Sequence, residues 1–380
     1  MAVISPASFA DFLGNAAAVQ QLRASIASGR LPHSMILAGP QGAGKYTLAL
    51  MLAQALNCER QPRESGPDGT PLASFCGVCN SCVKIAAAQN LSARIEEAIA
   101  VREDMRETDK KETRVLIQTH PDVLVVPPDP PQLLIKLGQV RTLIQSIYYR
   151  PEAGHRKIFI FTSTAFMKEA ANSLLKVLEE PPDYAHIILL AENPGELLPT
   201  IRSRCGLVRL GALPLAEIEA LLATRHAEWK PPQRALVARL AQGAVGRALH
   251  YDLAAYLISR QDALVLLHST LATGTDGPDH TALFKMTETY RAGADGAQKT
   301  TALLRALSSL LEDLLLLHSG TASLIRNVDI QADLSKMAAD ISFPWLEQAS
   351  RGLDQVESGM RRNLLRPLSL DAFAAQLTRA

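Results

Sequence analysis

Gly39-Pro-Gln-Gly-Ala-Gly-Lys45 decides the fold. It follows a short apolar run, Ser34-Met-Ile-Leu-Ala38, and precedes an amphipathic helical pattern from Thr47 to Leu56. A strand, a glycine-rich turn ending in lysine and a helix, in that order, make a phosphate-binding loop. Gly39, Gly42 and Gly44 let backbone N–H groups turn inward around phosphate oxygens. The helix N-terminus adds partial positive charge, and Lys45 would reach the β- and γ-phosphates of a nucleotide.

The residue after the lysine departs from the pattern. A Ser or Thr hydroxyl there binds Mg²⁺, and this chain has Tyr46. A phenol cannot place its oxygen where a Ser hydroxyl sits. Thr47 comes one position late, about 100° further round the helix. The loop is therefore expected to hold metal poorly. It either holds nucleotide weakly or persists for its backbone shape.

Further apolar runs read as strands: Asp122-Val-Leu-Val-Val126, Lys157-Ile-Phe-Ile-Phe161, His186-Ile-Ile-Leu-Leu-Ala191 and Leu207-Val-Arg-Leu210. With helical patterns between them, they predict a parallel sheet buried on both faces. An ATPase of this kind needs carboxylates at the end of a second strand, for Mg²⁺ and for the attacking water. The best candidate strand, Lys157–Phe161, runs into Thr162-Ser163-Thr164. Three losses at one site predict no intrinsic hydrolysis.

Net charge is +1, which excludes the basic footprint of a stand-alone DNA binder. Hydrophobic content of 47% and charged content of 20% fit a globular chain of two or three domains. The start lacks a leader pattern and no apolar run reaches bilayer length, so a cytoplasmic location is expected. Cys58, Cys76, Cys79 and Cys82 supply four thiolates in a tight cluster. In a reducing compartment that spacing reads as a closed, structural Zn²⁺ site rather than as disulfides. Residues 91–114 are highly charged with acids and bases nearly balanced, and read as a solvated helical insertion. Glu179 and Glu180 end a helix before Pro181-Pro182 and read as a solvated or interface-facing end. From Gly211 onward only helical patterns follow, including a leucine stripe through Leu303, Leu304, Leu307, Leu310, Leu311, Leu314 and Leu315.

Asn172-Ser-Leu-Leu-Lys-Val-Leu-Glu-Glu-Pro-Pro182 resembles the N-x-L-L-K-x-L-E-E-P-P signature of bacterial clamp-loader subunits. Leu198-Pro-Thr-Ile-Arg-Ser-Arg-Cys205 resembles their S-R-C segment, and Arg30-Leu-Pro-His33 and His120-Pro-Asp122 also match. The likeness is dense from Phe9 to Leu210. Beyond that, only Gly243-Ala-Val-Gly-Arg-Ala-Leu249 shares the pattern. The chain thus resembles the AAA+ gamma/tau/delta-prime family of DNA polymerase III. Within it, the motor type, gamma or tau, carries the complete ATPase set. The delta-prime type keeps the S-R-C arginine beside a decayed ATP site, and the losses here resemble that type. Ala191 stands where the motor type has a polar sensor residue.

The resemblance implies an α/β P-loop, AAA+-like parallel-sheet domain with a zinc knuckle over 1–210. A small helical lid over 211–252 and an all-α collar over 253–380 would follow. It implies that Arg204 acts in trans on a neighbour's nucleotide, and that Arg247 sits where the family has a second nucleotide sensor. It implies gamma/tau and delta subunits, a sliding clamp and primed DNA as partners, with no membrane involved. Two rival functions are an ATP-hydrolysing motor subunit, opposed by Tyr46, Thr162 and Ser163, and a zinc-stabilised DNA-binding module, opposed by the charge balance and the S-R-C segment.

Overall fold

A computed structural model describes residues 8–130, 132–271, 281–290, 294–360 and 366–377. The strands are β1 (Ser34–Ala38), β2 (Arg63–Ser65), β3 (Pro71–Ala73), β4 (Ile117–His120), β5 (Val123–Val126), β6 (Lys157–Phe161), β7 (Ala185–Ala191) and β8 (Gly206–Arg209). Six of them form one sheet in the order β4-β5-β6-β7-β1-β8, while β2 and β3 make a separate antiparallel ribbon. β1 runs parallel to both neighbours, with Leu37 opposite Leu190 of β7 and Val208 of β8. Continuous apolar runs pay off here because helices cover both faces. Met35 and Leu37 of β1 join one core, and Ile36 and Ala38 join the core on the opposite face.

The sheet differs from the expected all-parallel one at its margin. β4, not legible as a strand in the sequence, pairs antiparallel with β5 across a tight turn. β8 is an edge strand with Leu207 exposed, because no strand lies beyond it to share its burial.

The helices of this part are α1 (Ala16–Ala27), α2 (Lys45–Asn57), α3 (Asn80–Ala86), α4 (Leu91–Glu103), α5 (Glu107–Glu112), α6 (Leu137–Ile147), α7 (Lys168–Glu179) and α8 (Pro199–Arg202). α2 is not amphipathic as expected: every residue from Leu48 to Asn57 is buried. It is a core helix, packed with α1, α3 and β1 in one cluster. Each fully buried Leu or Met there contributes about 1.5–3 kcal/mol of transfer free energy. α6 and α7 cover the other face through Val140, Leu143, Leu174 and Val177.

The charged insertion is helical, and α4 buries none of its residues. Its end is tied down electrostatically. Arg102 Nη1 lies 2.8 Å from Asp129 Oδ1, and Lys136 Nζ lies 2.9 Å from Asp129 Oδ2. Asp129 is fully buried, so its charge needs those two cations and the Val115 N–H, 3.1 Å away.

The chain divides into two units, Met1–Leu213 with Gly243–Arg247, and Pro214–Gln242 with Ala248–Ala380. Among the described residues of the second, the regular elements are all helices. Its longest helix, Ala294–His318, buries Leu303, Leu304, Leu307, Leu310, Leu311 and Leu314. Leu315 departs from the expected stripe and is exposed, at the edge of the apolar face in the last turns. In the same helix, buried Asp313 accepts hydrogen bonds from the backbone N–H groups of Arg326 and Asn327 at 2.7 and 2.8 Å. Among the described residues no helix is long and apolar enough to cross a membrane.

Candidate functional site

The glycine-rich loop leaves β1 at its C-terminal end, with Gly39 N–H bonded to Ala191 O. Gly42 and Gly44 take φ of 83° and 85°, a region costly for residues with a Cβ. Space forbids a side chain as well. A Cβ on Gly42 would lie 2.8 Å from the Arg247 backbone nitrogen, and one on Gly44 would lie 2.9 Å from the Phe12 ring. Gly44 is the N-cap of α2, so no side chain caps the first-turn N–H groups. Such a terminus favours an anion.

Lys45 turns back onto the loop. Its Nζ donates to Gly39 O at 2.6 Å and Pro40 O at 2.9 Å. Burial lowers the ammonium's pKa, and the Glu192 carboxylate partly offsets that. Glu192 follows β7 directly, next to β1, and sequence reasoning passed over it: a lone acid after Ala191 matches no motif. Tyr46 and Thr47 are both engaged elsewhere. The Tyr46 hydroxyl donates to Ala88 O at 2.7 Å, and Thr47 Oγ1 accepts from Gln89 Nε2 at 3.1 Å. β6 ends at Phe161, and the segment that follows is Thr162-Ser163-Thr164, as read from the sequence. The structure thus brings Gly39, Gly42, Gly44, Lys45 and the Arg247 backbone together, with Thr47 one step round the helix.

The loop is closed by the chain's own return. Gly246 N–H donates to Gly42 O at 2.8 Å, which places the segment carrying Arg247 against the loop.

Arg204 lies away from this loop, in the turn between α8 and β8. Its Nε donates to Glu179 Oε1 at 2.6 Å and its Nη1 to Thr200 O at 2.8 Å. The side chain keeps about a third of its surface open, at 32%. Cys205 packs against the α6–α7 core, and burial pushes its thiol up to about 11, as fits a packing residue rather than a nucleophile.

The four cysteines converge. Cys58 caps the C-terminal end of α2, Cys79 caps α3, and Cys82 lies in the first turn of α3. Their sulfurs all lie within 4.8 Å of one another. Tetrahedral Zn–S bonds of about 2.3 Å imply S–S separations of about 3.8 Å, so the cluster fits a metal after slight contraction. Backbone N–H groups of Cys76, Cys79 and Cys82 point at the sulfurs of Cys58, Cys76 and Cys79, at 3.3, 3.3 and 3.5 Å. Such donors favour thiolates. Burial opposes the Cys76 thiolate, but the N–H groups of Val78 and Cys79 and its sulfur neighbours hold the thiol down to about 6. Burial, first, pushes Cys82 up. Cys58 and Cys82 are buried, and a metal there would have no open position for substrate.

The site therefore belongs to a P-loop α/β domain with a four-cysteine knuckle on its loop helix. The family model described as DNA polymerase III, delta subunit, matches residues 14–214, and the chain belongs to that family. It is 29% identical to the DNA polymerase III subunit tau of Escherichia coli over 249 residues, 64% of this chain and 32% of that one. It is 32% identical to the DNA polymerase III subunit delta' of Pseudomonas aeruginosa over 174 residues, 46% of this chain and 41% of that one. The chain thus spans about a third of the length of the tau subunit it matches. A solved DNA polymerase III gamma subunit-related protein from Thermotoga maritima aligns over 94% of this chain and 99% of its own, at 19% identity and a TM-score of 0.42.

Proposed function

We propose that this chain is a delta-prime-type, non-hydrolysing subunit of a DNA polymerase III clamp loader. The observation that carries this is the Tyr46 hydroxyl, which is bound to Ala88 O where an ATPase would direct a hydroxyl at Mg²⁺. The missing carboxylate after β6 and the inward fold of Lys45 agree with it. Family membership and the tau and delta' relatives supply the assembly.

In this reading the chain joins gamma/tau and delta subunits in a ring that places a sliding clamp on primed DNA. The P-loop part over 1–210, the lid over 211–252 and the collar over 253–380 divide the labour, with the collar holding the ring. Arg204 reaches a nucleotide bound by the adjacent subunit and stabilises charge on its γ-phosphate. Gly39, Gly42, Gly44, Lys45, Thr47 and Arg247 hold at most a nucleotide that is not turned over. Zinc at Cys58, Cys76, Cys79 and Cys82 ties the end of α2 to α3.

The test has two arms. The purified chain is expected to show no ATP turnover; turnover abolished by Lys45→Ala would overturn the reading in favour of a motor subunit. In the reconstituted assembly, Arg204→Ala is expected to cut turnover at the adjacent site by about 10³-fold or more while the complex still forms. Unchanged turnover and clamp loading would remove the trans role from Arg204. Failure to assemble with motor-type and delta-type subunits would favour a zinc-stabilised DNA-binding module.

A further inference from the structure

α7 ends at Glu179, and the turn after α8 presents Arg204, 25 residues later. Arg204 Nε donates to Glu179 Oε1 at 2.6 Å, and Nη2 lies 2.5 Å from the same oxygen. On the other side, Nη1 lies 2.8 Å from Thr200 O and 3.2 Å from Ser203 Oγ. Hydrogen bonds thus occupy three of the five N–H groups that a guanidinium carries. The pair is open to solvent, with side-chain exposures of 32% for Arg204 and 48% for Glu179.

We propose that Glu179 is the positioning residue for Arg204, setting its guanidinium in advance for a phosphate held by the neighbouring subunit. This rests on the trans role of Arg204 argued above. A carboxylate on an arginine has two possible effects: it withholds the arginine, or it orients it. Magnitudes decide between them. An exposed arginine–carboxylate pair biases a conformation by about fivefold or less. Arginine on a transferring phosphoryl group changes rate by about 10³–10⁵. So weak a pair cannot keep the guanidinium from a γ-phosphate. It can, however, select one rotamer of a long side chain before the interface forms, which removes an ordering cost from the reacting complex. Two anchors at different edges of the guanidinium, the carboxylate at Nε and the Thr200 carbonyl at Nη1, hold the fork in one orientation.

The experiment measures steady-state ATP turnover by the complete assembly, with Glu179→Ala, Glu179→Gln and Glu179→Asp in this subunit. Glu179→Ala is expected to lower kcat at the adjacent site about two- to fivefold, the size of the conformational bias the pair supplies, with KM for ATP unchanged, because orientation matters in the transition state. Glu179→Gln keeps an acceptor oxygen at the same reach and is expected to retain most of the rate. Glu179→Asp is one methylene short and is expected to behave like Ala. The Glu179→Ala, Arg204→Ala double variant is expected to be no slower than Arg204→Ala alone. Gel filtration and thermal melting of each variant check that the half-exposed substitution leaves fold and assembly intact. A rise in turnover with Ala and Gln would make Glu179 a latch and overturn the proposal, and so would unchanged turnover with Ala. If Arg204→Ala itself leaves turnover intact, the parent reading fails. If Arg204→Ala is slow but Glu179→Ala is not, only the positioning role fails.

Discussion

Tyr46 donates its hydroxyl to the backbone carbonyl of Ala88 at 2.7 Å, joining the first turn of the P-loop helix to the chain just past α3. The phenol is thus a strut between the loop and the cysteine knuckle, and burial pushes its pKa well above the usual tyrosine value. Placing a threonine hydroxyl at this position should not create chemistry. Tyr46→Thr places an oxygen near the phosphate loop, yet the segment after β6 still offers no carboxylate. ATP turnover is expected to stay at background, and unfolding free energy to fall by about 1–3 kcal/mol as the ring and its hydrogen bond are lost. Measurable turnover in that variant would mean that a single position had silenced the site.

The knuckle should be a folding element rather than a reactive one. One equivalent of zinc is expected by elemental analysis of the purified protein. Removal by a strong chelator is expected to lower the melting temperature. Structural zinc contributes folding free energy directly, because the unfolded chain lacks the preformed site. Cys82→Ser replaces the most deeply buried ligand and is expected to abolish stoichiometric binding. The effect should propagate through Tyr46, since Ala88 follows the helix that Cys79 caps. Retention of full stability in the metal-free protein would show that buried thiols suffice.

Asp122 is the sharpest local test of the sheet's lower rim. Its carboxylate accepts from the backbone N–H groups of Glu152, Ala153 and Gly154, at 2.8, 2.8 and 2.7 Å. The side chain is buried, so loss of the acceptors strands three donors. Asp122→Ala is expected to cost about 3 kcal/mol or more in urea unfolding, and Asp122→Asn less, because one acceptor oxygen remains. The two should rank in that order at neutral pH; equal costs would mean that the lost charge, which both variants share, and not the hydrogen bonds, sets the cost.

How much of this was legible beforehand depended on sequence distance. The P-loop, the strands β1, β5, β6 and β7 and the cysteine set are local patterns, and each sits where its residues predict. The pairing of Glu179 with Arg204 spans 25 residues and that of Tyr46 with Ala88 spans 42, and neither has a spacing signature. Asp129 is likewise unreadable as a buried charge, because its partners Arg102 and Lys136 come from opposite sides of a proline-rich loop. The strand β4 was missed because Ile117-Gln-Thr-His120 lacks the apolar run of its neighbours. It lies at the sheet edge and buries only its two end residues, Ile117 and His120.

Acid sensitivity should have an identifiable source in His186. Its ring stacks on His33 with centroids 5.1 Å apart, and its Nδ1 lies 3.1 Å from Pro32 O. Burial, first, with His33 and Arg156 adding repulsion, pulls its pKa down to about 4 against a hydrogen bond that works the other way. The unfolded chain therefore binds a proton between about pH 6.5 and pH 4 that the native state refuses. Stability from this group is full above pH 6.5 and is lost as pH falls towards 4. The loss is about 2 kcal/mol by pH 5, from a shift of about 2.5 units at 1.36 kcal/mol each. His120 is also lowered by burial, so it adds to the slope with the same sign. The comparison that isolates His186 is urea unfolding of the native chain and of His186→Gln at pH 5 and pH 7. The glutamine keeps a donor for Pro32 O but does not titrate. Its stability is expected to change less between the two pH values, by about 2 kcal/mol. Equal slopes for the two proteins would assign the acid sensitivity to other groups.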